Sequence, residues 1–167
     1  MKKLIFSTLI GVLSFASISN AQTPSATTRG YLYSFKVVLN QTAESTAQLV
    51  GIVTENAESY RSLRFFQLRQ KNEIASSNCL SVRSSLAANL LMLGTSIQVS
   101  QAALEGAPEF NSAEAQAKFD KLQVYTKAAT AAIDSCKSPA QSLVEVQKAN
   151  AAIRETAAYV NSLISDL

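Results

Sequence analysis

Two cysteines and a group of arginines and phenylalanines are the residues of this sequence with the clearest chemical potential. The chain has 167 residues and contains neither histidine nor tryptophan. Without histidine it cannot form a Ser-His-Asp triad, ligate a metal or haem through imidazole, or use a histidine pH switch. It also lacks a Gly-x-Ser-x-Gly element and a glycine-rich phosphate loop. We therefore expect a protein that is not an enzyme and that holds neither a cofactor nor a metal.

Cys79 and Cys136 are placed to form a disulfide. Cys79 precedes Gly106 by 27 residues, and Cys136 follows Pro108 by 28. If the chain reverses between Gly106 and Pro108, two antiparallel helices bring both cysteines to the same level. In an oxidising compartment we predict that they form a disulfide, which loop closure makes worth about 4 kcal/mol. Two buried free thiols are the alternative; a redox-active pair is less favoured because there is no Cys-x-x-Cys motif.

Basic and aromatic residues are concentrated at the end of the predicted fold where the cysteines lie. The candidate partner-binding residues are Arg61, Arg64, Phe65, Arg69 and Arg83. Arginine and aromatic side chains are enriched at protein interfaces, and the guanidinium group binds anions through two hydrogen bonds. This group therefore predicts a surface that contacts an acidic protein or an anionic polymer. The alternative is that the charges only complement helix dipoles and keep the surface solvated.

The first 21 residues have the composition of a secretory signal peptide. Residues 1–3 are basic, residues 4–18 form an apolar run, and small residues end it before Gln22. The run is shorter than the roughly 20 residues of a membrane-spanning helix, although an uncleaved anchor is the alternative. We expect cleavage and export to the periplasm or beyond, in a pattern typical of bacteria.

Cleavage would also change the charge of the chain. Lys2 and Lys3 leave with the segment, which reduces fifteen basic residues to thirteen against twelve acidic ones. A nearly neutral chain has no general attraction to nucleic acid. We therefore expect no nucleic-acid partner, and no stable membrane span after cleavage.

The remaining sequence has the three- and four-residue apolar spacing of amphipathic helices. A clear series is Cys79, Val82, Leu86, Leu90, Leu93 and Ile97. The patterns predict helices at about residues 42–70, 77–105, 112–136 and 139–166. The apolar face of the first helix reaches Leu68, and the last helix is introduced by Ser138 and Pro139.

Short connections between these helices make sequence neighbours antiparallel. The predicted fold is all-α, an up-down-up-down four-helix bundle in one domain at residues 31–167. A disordered tail at residues 22–30 precedes it. Residues 31–39 alternate like a strand, but we expect a helical extension or an ordered arm because a lone strand has no partner.

These patterns favour a non-catalytic, exported envelope protein that binds another macromolecule through a helix face or the basic end of the bundle. Its expected partner is an envelope protein or an anionic envelope polymer. A small-ligand carrier remains open, because polar residues interrupt the apolar faces and could line an interior cavity. These residues are Thr46, Asn56, Ser100, Thr126 and Asn150. A structural module that forms homo-oligomers is the third possibility.

Overall fold

The computed structural model describes residues 26–105 and 113–165, with side chains for residues 29–98 and 113–164. The regular secondary structure of these residues is entirely α-helical, as predicted. The helices are α1 (Ala26–Ser62), α2 (Leu68–Glu105), α3 (Ala113–Asp134) and α4 (Pro139–Ser165). The predicted signal peptide at residues 1–21 and the chain reversal at residues 106–108 lie outside the described residues.

Antiparallel packing assembles these helices into a bundle. α1 packs along both α2 and α4, and α3 packs along α4, whereas α2 and α3 approach each other much less. A hydrogen bond from Asn56 to Asn78 aligns α1 with α2, and a reciprocal pair between Asn40 and Asn161 aligns α1 with α4. Each pair joins an early residue of one helix to a late residue of the other, which sets the antiparallel direction.

The predicted disulfide is present. Cys79 of α2 is bonded to Cys136, which follows α3, and their Cα atoms are 4.6 Å apart. Both cysteines are buried. The bond therefore joins two helices that share little other contact.

The core contains most of the apolar residues of the predicted faces, together with Tyr125, which lies outside them. Its largest completely buried side chains include Tyr125, Phe35, Leu86 and Ile153. The rings of Phe35 and Phe119 contact each other across the bundle, with centroids 6.2 Å apart. The predicted face of α3 passes through Thr126, whereas the buried face passes through Tyr125, one residue earlier. Both positions follow Leu122 by a step of three or four residues, so spacing alone does not choose between them.

The beginning of α1 differs from the prediction of a disordered tail at residues 22–30. α1 starts at Ala26, and residues 31–39 are a helical extension. The physical reason is that Leu32 and Phe35 are almost completely buried, so that a helix through this segment adds apolar contacts to the core. Residues 22–25 lie outside the described part of the chain.

The connection between α1 and α2 also lies earlier than predicted. α1 ends at Ser62 instead of residue 70, and α2 begins at Leu68 instead of residue 77. No glycine or proline marks this turn in the sequence. α3 and α4 lie within two residues of their predicted bounds.

The helices are not matched in length. α1 and α2 contain 37 and 38 residues, whereas α3 and α4 contain 22 and 27. Among the helices of the described ranges, none has both the length and the apolar character needed to cross a bilayer.

Candidate functional site

The difference in helix length makes α1 and α2 project beyond α3 and α4 at the disulfide end. Asn78 marks the level at which the four helices are still joined. Its Nδ2 donates to the Cys136 carbonyl oxygen at 2.7 Å and to Ser142 Oγ at 3.0 Å, and its Oδ1 accepts from Asn56 Nδ2 at 3.2 Å. From this level α2 extends ten residues back to Leu68, about 15 Å of helix. α4 begins only three residues before Ser142, about 5 Å.

The burial pattern agrees with a projection. None of residues 58–77 is buried, whereas Ala57 and Asn78 on either side are. We call residues 58–77 the α1–α2 tip. Between its two arms, Lys71 Nζ lies 5.2 Å from the centre of the Tyr60 ring, a cation–π contact that joins α1 to α2.

A hydrogen-bonded turn closes the α1–α2 tip. The Gln67 N–H donates to the Arg64 carbonyl oxygen at 3.1 Å, and Gln67 Oε1 accepts from the Arg64 N–H at 2.8 Å. The Gln67 carbonyl oxygen accepts from the Lys71 N–H at 3.1 Å, which begins the hydrogen bonding of α2. Phe65 and Phe66 occupy the two central positions of this turn, so the backbone holds both residues at the apex.

The rings at the apex contact each other and are open to solvent. Phe65 is 83% exposed and Phe66 is 63% exposed. Their centroids are 5.6 Å apart in an edge-to-face arrangement, which aromatic pairs prefer. Leu68, at the start of α2, is 66% exposed. Three large apolar side chains within four consecutive residues are therefore open to solvent.

The exposure of Leu68 corrects the prediction that it continues the buried face of the first helix. Leu68 belongs to α2 and lies about 15 Å from the level of Asn78, where the core begins. At this distance it lies beyond the starting point of α4. The periodicity of the sequence identifies an apolar residue here, but the length of the neighbouring helices decides whether it is covered.

Three arginines flank the apex in the sequence. Arg61 and Arg64 are exposed, and neither forms an ion pair with any residue that the structure describes. Arg69 Nε lies 3.0 Å from Glu73 Oε1, but both side chains are largely solvated, so this pair contributes little to stability. The tip has four basic and two acidic residues, which are Arg61, Arg64, Arg69 and Lys71 against Glu58 and Glu73.

The structure brings four of the five predicted partner-binding residues to the α1–α2 tip. Arg61, Arg64, Phe65 and Arg69 lie there. Arg83 does not, because it follows Arg69 by fourteen residues in the same helix, about 21 Å along the axis. It lies on the other side of Cys79, beside the body of the bundle.

Phe66 and Leu68 complete the apolar part of the site. A local sequence signal for them exists in residues 64–69, which read Arg-Phe-Phe-Gln-Leu-Arg. Apolar residues between two arginines, without a glycine or proline, fit a solvated turn as well as they fit a helix. The choice between the two needs the tertiary structure.

The interior of the bundle contains polar side chains that bond to one another. The Tyr125 hydroxyl lies 3.5 Å from Thr46 Oγ1, which accepts from Asn89 Nδ2 at 3.3 Å. Burial raises the pKa of the Tyr125 phenol above its ordinary value of 10.0, and the hydrogen bonds with Thr46 and Asn89 act in the opposite direction. These contacts connect α1, α2 and α3 across the core.

The polar residues that suggested an interior cavity differ in their hydrogen bonding. Thr46 and Thr126 donate to carbonyl oxygens of their own helices, and Asn56 donates to Asn78. Asn150 Oδ1 is buried and has no hydrogen-bond partner among the residues that the structure describes. The side chain of Ser100 lies outside the described part of the chain. At the opposite end of the bundle, Arg29, Leu32, Tyr33 and Ile164 line a recess of about 90 Å³, smaller than typical small-molecule sites of roughly 300 Å³ or more.

A scan against protein-family models, a search of curated proteins and a search of solved structures each find no match to this chain. An assignment of function therefore rests on the geometry of the α1–α2 tip.

Proposed function

We propose that this chain is a non-catalytic, exported envelope protein that binds another macromolecule through the α1–α2 tip. The observation that carries this proposal is the apex itself, where two exposed phenylalanines stand beside two unpaired arginines. Aromatic residues and arginine are the residue types most enriched at binding interfaces. Solvation of the surface accounts for the arginines, but it does not account for the exposed rings.

The body of the bundle supports this role by fixing the base of the tip. Directly below the tip, the Cys79–Cys136 bond and the hydrogen bonds of Asn78 connect segments from all four helices. A surface that is fixed before binding loses less conformational entropy when it meets its partner. The disulfide and the buried amide therefore have a functional consequence in addition to their effect on stability.

Export is supported by the disulfide together with the composition of the first 21 residues. Disulfides persist in oxidising compartments such as the bacterial periplasm and are rare in the cytosol. An exported protein meets envelope proteins and polymers, many of which carry negative charge. The unpaired guanidinium groups of Arg61 and Arg64 suit such partners.

Site-specific photo-crosslinking in intact cells tests the proposal. A photoreactive phenylalanine analogue at position 65 of the full chain should form an adduct with a macromolecule of the envelope. The same analogue at Leu91, which is 70% exposed on the body of α2, should form little or none. Equal crosslinking at the two positions would argue against a specific surface at the tip.

Charge-matched variants then test the arginines. Arg61→Glu with Arg64→Glu should abolish the adduct at position 65. Lys127→Glu with Arg154→Glu changes the net charge by the same amount at exposed positions on α3 and α4, and it should leave the adduct unchanged. An adduct that survives the first pair of substitutions would contradict the role of the basic residues.

A further inference from the structure

We infer that the envelope component bound by the α1–α2 tip is the surface of an anionic lipid bilayer. Phe65 and Phe66 insert between lipid headgroups, and Arg61 and Arg64 bind lipid phosphates. This inference rests on the proposed function and specifies the class of partner for the same site.

The shape of the apex favours a bilayer over a protein groove. Phe65 and Phe66 lie at the central positions of a turn at the end of two helices, so they form a convex point. A protein partner would need a preformed pocket for two perpendicular rings. The headgroup region of a bilayer accepts a protruding apolar group without a matching shape, and phenylalanine and leucine are among the residues that segments bound at this interface bury there.

The basic residues of the tip lie closer to the apex than its acidic residues do. Arg64 adjoins Phe65 in the sequence, and Arg61 precedes Phe65 by four residues. The two acidic residues, Glu58 and Glu73, are each seven residues from the nearer ring, about two turns further back along their helices. A flat anionic surface that contacts the rings therefore meets the guanidinium groups first and leaves the carboxylates in water.

Arginine is well suited to this position. Its aliphatic stem can lie along apolar groups while the guanidinium remains at the level of the phosphates. The planar guanidinium also donates two parallel hydrogen bonds to a phosphate. Each basic residue near an anionic membrane strengthens binding by about fivefold.

The absence of tryptophan from the chain permits a direct test. Phe65→Trp introduces a single fluorescent reporter at the apex, and Leu91→Trp provides a matched reporter on the body of the bundle. With vesicles of phosphatidylethanolamine and phosphatidylglycerol, emission of the position-65 reporter should shift to shorter wavelength, and brominated acyl chains should quench it. The position-91 reporter should show neither change. Because both variants share the same N-terminus, the difference between them isolates the contribution of the tip.

The arginines and the lipid charge provide further readouts. Replacing Arg61 and Arg64 by glutamine in the Phe65→Trp background should weaken vesicle binding by about 25-fold. Vesicles of phosphatidylcholine alone should bind much less. Flotation of the unsubstituted protein with each type of vesicle gives a measurement that does not depend on any variant.

Three results would overturn the inference: no response at position 65, an equal response at position 91, or equal binding to neutral and anionic vesicles. A tip that crosslinks to an acidic protein but ignores vesicles would refute the lipid partner and leave the proposed function intact. A tip that does neither would refute both.

Discussion

Replacing Cys79 and Cys136 together by alanine tests the covalent tie between two helices that share few other contacts. The cysteines are 57 residues apart in the sequence. On the view that a cross-link restrains the unfolded chain, loop closure over this distance contributes about 4 kcal/mol to the free energy of unfolding at 25 °C. We expect the variant to fold and to lose about this amount.

The expected effect acts mainly on the unfolded chain because neighbouring native contacts survive the substitution. Asn78 Nδ2 donates to the backbone carbonyl oxygen of Cys136, not to the sulfur. That carbonyl oxygen remains when the side chain becomes alanine. The four helices therefore stay joined at this level, and secondary structure measured by circular dichroism should be unchanged.

Urea unfolding followed by circular dichroism measures the loss. With an m-value of about 2 kcal/mol/M, the midpoint should fall by about 2 M, and the m-value should rise because the unfolded chain without the bond exposes more surface. Unsubstituted protein that has been reduced and thiol-blocked is the matched control and should show a similar midpoint. A variant whose midpoint stays within about 0.5 M of the oxidised protein would refute the loop-closure argument.

Three further predictions concern polar contacts. Asn78→Ala should lower the free energy of unfolding by about 3 kcal/mol in urea titrations, because its buried partners lose their hydrogen bonds. Asn78→Asp should be destabilised as well, because an ionised carboxylate cannot donate these hydrogen bonds. The raised pKa of Tyr125 means that the unfolded chain releases this proton near 10.0 while the folded chain retains it, so stability falls as the pH rises above that value. Tyr125→Phe should remove this contribution from the thermal midpoint measured against alkaline pH. The pKa of Glu155 is lowered, chiefly by the hydrogen bond from Lys118, so its stabilisation is present above about 4.5 and is lost as the pH falls. Glu155→Gln should make the thermal midpoint less sensitive to acid, and an unchanged acid dependence would contradict this assignment.

Apolar spacing and cysteine position contain enough information for much of this fold. Helices repeat every 3.6 residues with a constant rise, so a buried face can be followed in the sequence over many turns. For the same reason, two cysteines at nearly equal distances from a chain reversal reach the same level, and the bond between Cys79 and Cys136 could be predicted. Tyr125 was missed because positions 125 and 126 both follow Leu122 by a step of three or four residues, and only the packing of α3 decides which of them is buried.

The end of α1 depends on a local turn that the apolar spacing does not reveal, and the exposure of the tip depends on which helices lie beside it. The turn after α1 is stabilised by the Gln67 side chain and contains no glycine or proline. The spacing of apolar residues therefore does not reveal where α1 ends. By local pattern, Arg61, Phe65 and Leu68 could equally belong to a buried helix. They form an exposed apex because α4 begins nearer to the body of the bundle and does not extend alongside them. Burial depends on which helix lies alongside, and the relative length of neighbouring helices is a property of the assembled bundle.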